Sequence, residues 1–381
     1  MKKVKLGDVC KIQSGGTPSR GNLNYWNNGN IPWVKISDIK EKYLSRTEEF
    51  ITQEGLANSS AKIFPKETIL YTIFATLGEV SILEIEATTN QAIAGLQIID
   101  ENICKDYLYY YLISLKPFVN EIGRGVAQNN INMQILRNFE IPLPSLEEQK
   151  AIARKLDKVS GLIEKRKTQL EKLSELVKSR FIEMFGDVIN NDRNWPMATM
   201  GDVAEIKIGP FGTLLHKEDY IVGGHALVNP SHIVDGKISV DISLTISDEK
   251  YEELSAYHLK IDDIVLGRRG EMGRCAVVKE EGLLCGTGSL IIRPNDRLKP
   301  YFLQTIISNP TYKKIIEDKA VGVTMMNLNV PIVESLRVPM LPIALQNDFI
   351  SFMEQVDKSK YIEKISVRVL TIFWQKVYIW K

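Results

Sequence analysis

Two arginines stand side by side between glycines at Gly267-Arg268-Arg269-Gly270, with Arg274 just beyond. A guanidinium is a planar fork of donors that matches the edge of guanine, whereas Asn and Gln match adenine. Asn90-Gln91, after Thr88-Thr89, is a second candidate pair, with a plain structural turn as the alternative reading. The stretch of the first half that corresponds to the arginine loop is Thr72-Ile73-Phe74-Ala75-Thr76, in which Thr72 and Thr76 can hydrogen-bond. Lys35, Arg46 and Lys217 are candidates for phosphate contact. For any one of these side chains solvated surface is the competing reading, so the loops carry more weight than single residues.

Other chemistry is missing. Methyl transfer to a base needs an S-adenosylmethionine loop and an Asn/Asp-Pro-Pro-aromatic motif. The nearest string, Val228-Asn229-Pro230-Ser231-His232, lacks the second proline and the aromatic and reads as a turn. The glycine-rich Gly267–Gly273 has no Lys-Ser/Thr to cradle a nucleotide triphosphate. Asp262-Asp263 reads as a turn before a strand rather than a metal site. His216, His225, His232 and His258 lie among polar loops without ligand spacing. None of Cys10, Cys104, Cys275 and Cys285 forms a Cys-x-x-Cys pair, so no zinc site or disulfide framework is expected. The expectation is a protein with no cofactor, no metal and no catalytic residue.

The elements that must position these loops come in duplicate. Leu6-Gly7-Asp8-Val9 returns as Met200-Gly201-Asp202-Val203, an offset of about 194. Ser14-Gly15-Gly16-Thr17 parallels Gly209-Pro210-Phe211-Gly212-Thr213. Glu67–Leu70 parallels Asp262–Val265, and Leu77-Gly78-Glu79 parallels Met272-Gly273-Arg274. Gly95-Leu96-Gln97-Ile98-Ile99 is matched with Gly288-Ser289-Leu290-Ile291-Ile292. Gly125–Asn132 parallels Gly322–Asn329, which favours a structural or backbone-contact role for Gln128-Asn129-Asn130 and Asn327-Leu328-Asn329. Ile141-Pro142-Leu143-Pro144 with Gln149 parallels Val338–Pro342 with Gln346. Order and spacing persist along the chain while the filling diverges, as expected of two modules that read different things.

Each module holds short Ile/Val/Thr/aromatic runs that predict strands, with short helices at 106–114 and 300–308, hence a mixed α and β head. A long helix follows each. The first opens at Ser145, with Glu147 and Glu148 in its first turn. Ile152, Leu156, Val159, Ile163, Arg166, Leu170, Leu173 and Val177 recur at coiled-coil spacing, with only Arg166 polar. Roughly 40 residues at a 1.5 Å rise make a rod about 60 Å long. The second helix carries Leu345, Phe349, Phe352 and Val356, then slips by one and resumes at Ile362, Ile365, Val369 and Ile372. The fold class expected is α+β: heads at 1–144 and 188–341, separated by spacer helices at 145–187 and 342–381 that pair antiparallel within one chain. Duplex DNA also has local two-fold axes, with half-sites about 34–36 Å apart. Two different heads on a rigid spacer would read a split, asymmetric target.

The Leu-Gly-Asp-Val start, the Ser-Gly-Gly-Thr-Pro stretch, the hinge Ile141–Gln149 and the helix end Phe181-Ile182-Glu183-Met184-Phe185-Gly186 resemble type I restriction–modification specificity subunits. The resemblance implies two target-recognition domains, one for each half of a bipartite site on double-stranded DNA. It implies helices that dock methyltransferase (modification) subunits, with a separate restriction and translocation motor joining through the complex. The second hinge, Pro339–Gln346, departs by lacking the acidic pair. The end of the chain, from Val367 to Lys381, is β-branched and aromatic where a charged helix is usual. A reserve copy of such a subunit and a protein-binding coiled-coil adaptor are the alternatives. The adaptor has no need of two divergent heads.

The bulk numbers agree. With 381 residues the chain is long enough for two or three domains. A net charge of +1 argues against a stand-alone DNA binder, because non-specific grip comes from neutralising phosphates. Partner subunits would supply that grip, leaving base contacts to this chain. The N-terminus has no apolar signal region, no stretch is apolar enough to span a bilayer, and a reducing cytoplasm is expected.

Overall fold

Apolar runs bounded by Gly, Asn and Asp fold as strands in both halves of the computed structural model, which describes residues 2–124, 130–211, 214–270, 272–320 and 327–377. The repeat segments at 125–129, 212–213 and 321–326 and the last four residues lie outside that set. The described chain forms two units, residues 1–168 with 363–381, and residues 169–362. Each unit therefore takes one head together with part of each long helix.

In the first unit the strands that frame the candidate loops include β1 (Lys3–Lys5), β2 (Cys10–Ser14), β3 (Tyr43–Leu44), β4 (Ile69–Thr72), β5 (Val80–Leu83), β6 (Ile93–Ile98) and β7 (Glu140–Pro142), and a further three-stranded sheet joins Ile31–Val34, Glu49–Ile51 and Thr88–Thr89. Five of them make a sheet in the order β2-β6-β4-β5-β3. Every residue of β4 and β5 is buried, because both faces of the sheet are covered. One face packs on the helix Lys105–Ser114 through Ile69, Tyr71 and Leu96 against Tyr107, Leu108 and Leu112. The other packs through Leu70, Leu83 and Ile93 on Val34 and Phe64. β1 pairs antiparallel with β7, Lys3 opposite Pro142, so the head's first strand is tied to its last.

The second unit repeats this plan with β8 (Met197–Thr199), β9 (Ala204–Ile208), β10 (Ile264–Gly267), β11 (Cys275–Val277), β12 (Ser289–Pro294) and β13 (Arg337–Pro339). The sheet order is β9-β12-β10-β11, and β8 closes on β13. The register corrects one repeat assignment. Ile69 pairs with Leu96, and its counterpart Ile264 pairs with Ile292, so Leu96 corresponds to Ile292 and not to Ser289. The glycine at 288 had drawn the match three residues out of register.

The central helix runs Leu146–Phe185 and the C-terminal helix Ile343–Val377. Ser145 caps the first through a reciprocal bond: its backbone N–H donates to Glu148 Oε2 at 2.9 Å while Glu148 N–H reaches Ser145 Oγ at 3.4 Å. Within the first unit Arg166 Nη1 donates to Glu363 Oε1 at 2.9 Å, and Trp374 Nε1 to Ser160 Oγ at 3.1 Å. Within the second, Phe181 packs edge-on to Phe349 with centroids 5.3 Å apart. Partners rise in number on one helix as they fall on the other, so the two pair antiparallel. The helices also complete the heads. Leu156 belongs to the first head's core, and Phe181, Phe185 and Phe349 to the second's.

The same clamp joins each head to its helix. Gln149 is fully buried, accepts from Cys104 N–H at 2.8 Å and donates to Asn102 O and Pro144 O. Gln346 accepts from Lys299 N–H at 2.8 Å and donates to Arg297 O and Leu341 O.

One seam assignment is overturned. Ile362, Ile365, Val369 and Ile372 are exposed. The residues turned inward are Glu363, Val367, Leu370 and Trp374. Phe349, Val356, Glu363 and Leu370 keep one heptad position without a slip. Glu363 interrupts the apolar pattern at that position, and Arg166 on the facing helix is what admits it.

Candidate nucleic-acid interface

Hairpins β4–β5 and β10–β11 carry the two candidate loops on one shared backbone frame. Pairing runs from Ile69 opposite Ile82 to Tyr71 opposite Val80, and from Ile264 opposite Val277 to Leu266 opposite Cys275. Thr72 N–H then donates to Glu79 O at 3.0 Å, and Gly267 N–H to Arg274 O at 2.8 Å. The next residue is pinned on two sides. Ile73 donates to Ala92 O and accepts from Ile131 N–H, while Arg268 donates to Gly288 O and accepts from Leu328 N–H. Phe74, bridged antiparallel to Asn130, and Arg269 come next, and both side chains are exposed. The chain passes through a left-handed residue, Ala75 (φ 60°) or Gly270 (φ 72°), and returns through Gly78 (φ 81°) or Gly273 (φ 77°).

This frame corrects the reading of the arginine pair. Arg268 takes the place of Ile73 and is as buried, 3% exposed against 4%. Its Nε donates to Thr287 O at 3.1 Å and its Nη1 to Asn327 Oδ1 at 3.3 Å. Burial, and then the charge of Arg269, hold its pKa below the ordinary arginine value. A side chain so enclosed does not reach a base. Arg269 is exposed and has no hydrogen bond or ion pair to a described residue, so its donor fork faces solvent. Arg274 is half-buried at the foot of the hairpin, opposite the place of Glu79 in the first head.

Thr72 is corrected in the same way. It is fully buried, and its hydroxyl donates to Thr76 O and accepts from Glu79 N–H, which ties the loop together. Thr76 is exposed. Asn90 folds its carbonyl back onto Ala92 N–H at 3.1 Å, which is the turn anticipated as the alternative. Gln91 is exposed and meets the hydroxyl of Thr17, joining the loop after β2 to the loop before β6. Lys35 is engaged by Glu48 at 2.9 Å and Glu49 at 3.0 Å, bonds that raise its pKa to about 12. A phosphate would have to displace those carboxylates. Arg46 and Lys217 are exposed.

Two side chains that the sequence does not single out also stand at the candidate interface. Phe74, at the tip of the first hairpin, is 40% exposed. Its signal was present, since it stands at the position of Arg269 in the repeat. Arg20 lies 3.7 Å over the ring of Trp26 and 4.7 Å over that of Trp33, beside the glycine stretch at 15–16. The histidines are also more structured than expected. His232 is buried with Nδ1 on Leu227 O at 2.7 Å, and His225 and His258 sandwich Tyr251 at 3.7 and 3.6 Å. Among the described residues no group of His, Cys, Asp or Glu is arranged to hold a metal ion, and all four cysteines are free thiols.

The helix residues divide between the seam and the head cores. Leu156, Val159, Phe349 and Val356 are buried, and Ile152, Ile163, Leu170, Leu173, Val177 and Phe352 are half-buried. They hold the helix pair and complete the head cores. Within the first unit, Ile365, Val369, Ile372 and Phe373 of the C-terminal helix are each more than 40% exposed. Among the described residues no helix is long and apolar enough to cross a membrane.

Comparison with known proteins adds an independent line. The model of a family described as type I restriction modification DNA specificity domain matches residues 1–174 and 192–369. The chain is 33% identical over 229 residues to the type I restriction enzyme MjaIX specificity subunit of Methanocaldococcus jannaschii, covering 55% of this chain and 52% of that one. It is 31% identical over 165 residues to the EcoR124I/EcoR124II specificity subunit of Escherichia coli, covering 41% of this chain and 40% of that one. The chain thus spans about half the length of these relatives or less. The crystal structure of a type I restriction-modification S subunit from M. genitalium superposes with a TM-score of 0.57 at 16% identity, covering 99% of this chain and 94% of that one. A structure described as the basis of complex assembly and conformational transition of the type I R-M system superposes at 0.59 with 17% identity, covering 99% and 96%. Both share the fold.

Proposed function

Because the chain belongs to the type I restriction modification DNA specificity family, we propose that it is the non-catalytic reader of such a system. Each head reads one half of a bipartite, asymmetric target on double-stranded DNA, and the paired helices set the gap between the halves. The observation that carries this reading is the hairpin frame built twice on the same strand pairing and the same flanking backbone bonds, with unlike residues, Phe74 and Arg269, at its two tips. A shared frame with divergent tips is what two readers of different bases require.

The helices dock the methyltransferase subunits, and the motor subunit joins through them. What supports this is the exposed apolar row Ile365, Val369, Ile372 and Phe373 on the C-terminal helix, since clustered apolar residues left in solvent mark interaction sites. The assembly works in the cytoplasm. The chain's near-neutral charge leaves the backbone grip on DNA to its partners.

The test is to sequence methylated bases in cells that carry the chain, lack it, or have it restored. An asymmetric two-part motif should vanish on deletion and return on restoration. Methyl transfer by the purified chain alone, given S-adenosylmethionine and no partner subunit, would refute the non-catalytic reading.

A further inference from the structure

Ile73 and Arg268 fill the same buried place, so Phe74 and Arg269 follow at the same point of the frame, Phe74 with its backbone bridged antiparallel to Asn130. The loop is not a slack one. Strand pairing and the bond from residue 72 or 267 hold it on one side. The bonds to residues 92 and 131, or 288 and 328, hold it on the other. Ala75 is kept left-handed where the second head has glycine, although a Cβ disfavours that conformation. The first head thus keeps the turn at a cost while presenting a phenyl ring to solvent.

A single exposed apolar side chain is ordinary on a protein surface. Phe74 differs in its place, at the tip of a pinned hairpin and opposite, in the repeat, to a guanidinium without a described partner. In the major groove one base alone, thymine, offers an apolar group, its C5-methyl, and Phe is among the side chains that contact it. Guanine offers the two acceptors that an arginine fork meets.

We infer that Phe74 is a specificity-determining residue of the first head, packing on the methyl group of a thymine where Arg269 of the second head pairs with a guanine. The inference rests on the reading of the chain as a two-headed DNA reader. It adds which position in each half-site the hairpins read, and by which chemistry.

The experiment uses the chain assembled with its methyltransferase subunits and the methylation motif as readout. Phe74→Ala should make one position of the first half-site degenerate and leave the second half-site and the gap unchanged. Phe74→Arg should move that position from thymine towards guanine, and Arg269→Phe should make the reverse change in the second half-site. On synthetic duplexes, deoxyuridine in place of that thymine removes one methyl group. It should weaken binding by the unaltered complex about fourfold, the worth of one buried carbon, and leave Phe74→Ala indifferent. An unchanged motif with Phe74→Ala, or a uniform loss on all sequences, would overturn the inference. Should that variant fail to fold, the unaltered complex decides: equal affinity for thymine and deoxyuridine throughout the first half-site would also overturn it. Failure of the underlying reading looks different, because the unaltered complex would then yield no two-part motif.

Discussion

Arg268 and Arg269 are adjacent and chemically identical, and their places just beyond β10 give them opposite fates. β10 delivers residue 268 to the inner side, where Thr287 and Asn327 receive its guanidinium, and residue 269 to the outer. The two substitutions should therefore separate. Arg269→Ala in the assembled complex should relax one position of the second half-site, at a cost of roughly 1–3 kcal/mol for the lost base. Arg268→Ala should leave the preferred base alone and lower the head's stability by about 2–3 kcal/mol, since it empties a buried place and strips the bond from Asn327. Urea denaturation checks the second effect and the methylation motif the first. An Arg268→Ala protein of normal stability with an altered motif would make Arg268 the reader after all. The loop was legible in the sequence, whereas the side each residue takes was not. Gly-Arg-Arg-Gly has no apolar member to reveal which side is inward. The revealing letter was Ile73 in the other half, an aliphatic residue standing where an arginine recurs.

At the scale of elements, the central helix was legible almost throughout, because its seam is apolar at every step but Arg166. The C-terminal seam was legible only as far as Val356, because Glu363 broke the pattern that a periodicity search follows. The same two residues explain each other. Glu363 is held inside the pair by Arg166, with side-chain exposures of 17% and 39%. Removing Glu363 takes this bond from Arg166, and the pair is only partly buried, so Glu363→Ala should cost about 1 kcal/mol. Replacing both by leucine should restore stability or exceed it, since an ion pair in a seam confers register more than strength. The expected sign is thus opposite for the single and double variants, and thermal denaturation reads it. A double variant as weak as the single one would show that the pair is a net source of stability. The hinge glutamines were visible only as repeated letters. That each one bonds to two loops and the helix start depends on contacts between residues more than 40 apart, which no local pattern reveals.

At the scale of the whole molecule, the repeat implies that a head is an exchangeable unit, and the structure indicates where to cut. β1 closes on β7, and β8 on β13, so each head begins and ends at its own two-stranded clamp. The hinge prolines follow, and proline fixes its own φ while restricting the residue before it, so the angle of a head on its helix is stiff. A junction after residue 144 leaves the first clamp whole, whereas one at 140 would separate β7 from β1. The graft must also keep an aliphatic residue at Leu156, which completes the first head's core from the central helix. With those conditions met, replacing residues 1–144 by the equivalent head of another specificity subunit should change one half of the methylated motif. The other half and the gap should persist. Lengthening both helices by one heptad, at matching places near Arg166 and Glu363, should do the converse. Seven residues at 1.5 Å add about 10 Å, close to three base pairs, and a whole heptad returns the seam to its own face. The motif should then keep both halves and widen its gap by about three. Insertion into one helix alone should lose the motif, because the seam can no longer close. If a head exchange altered both halves together, recognition would be a property of the undivided chain, and the model of two independent readers would fall.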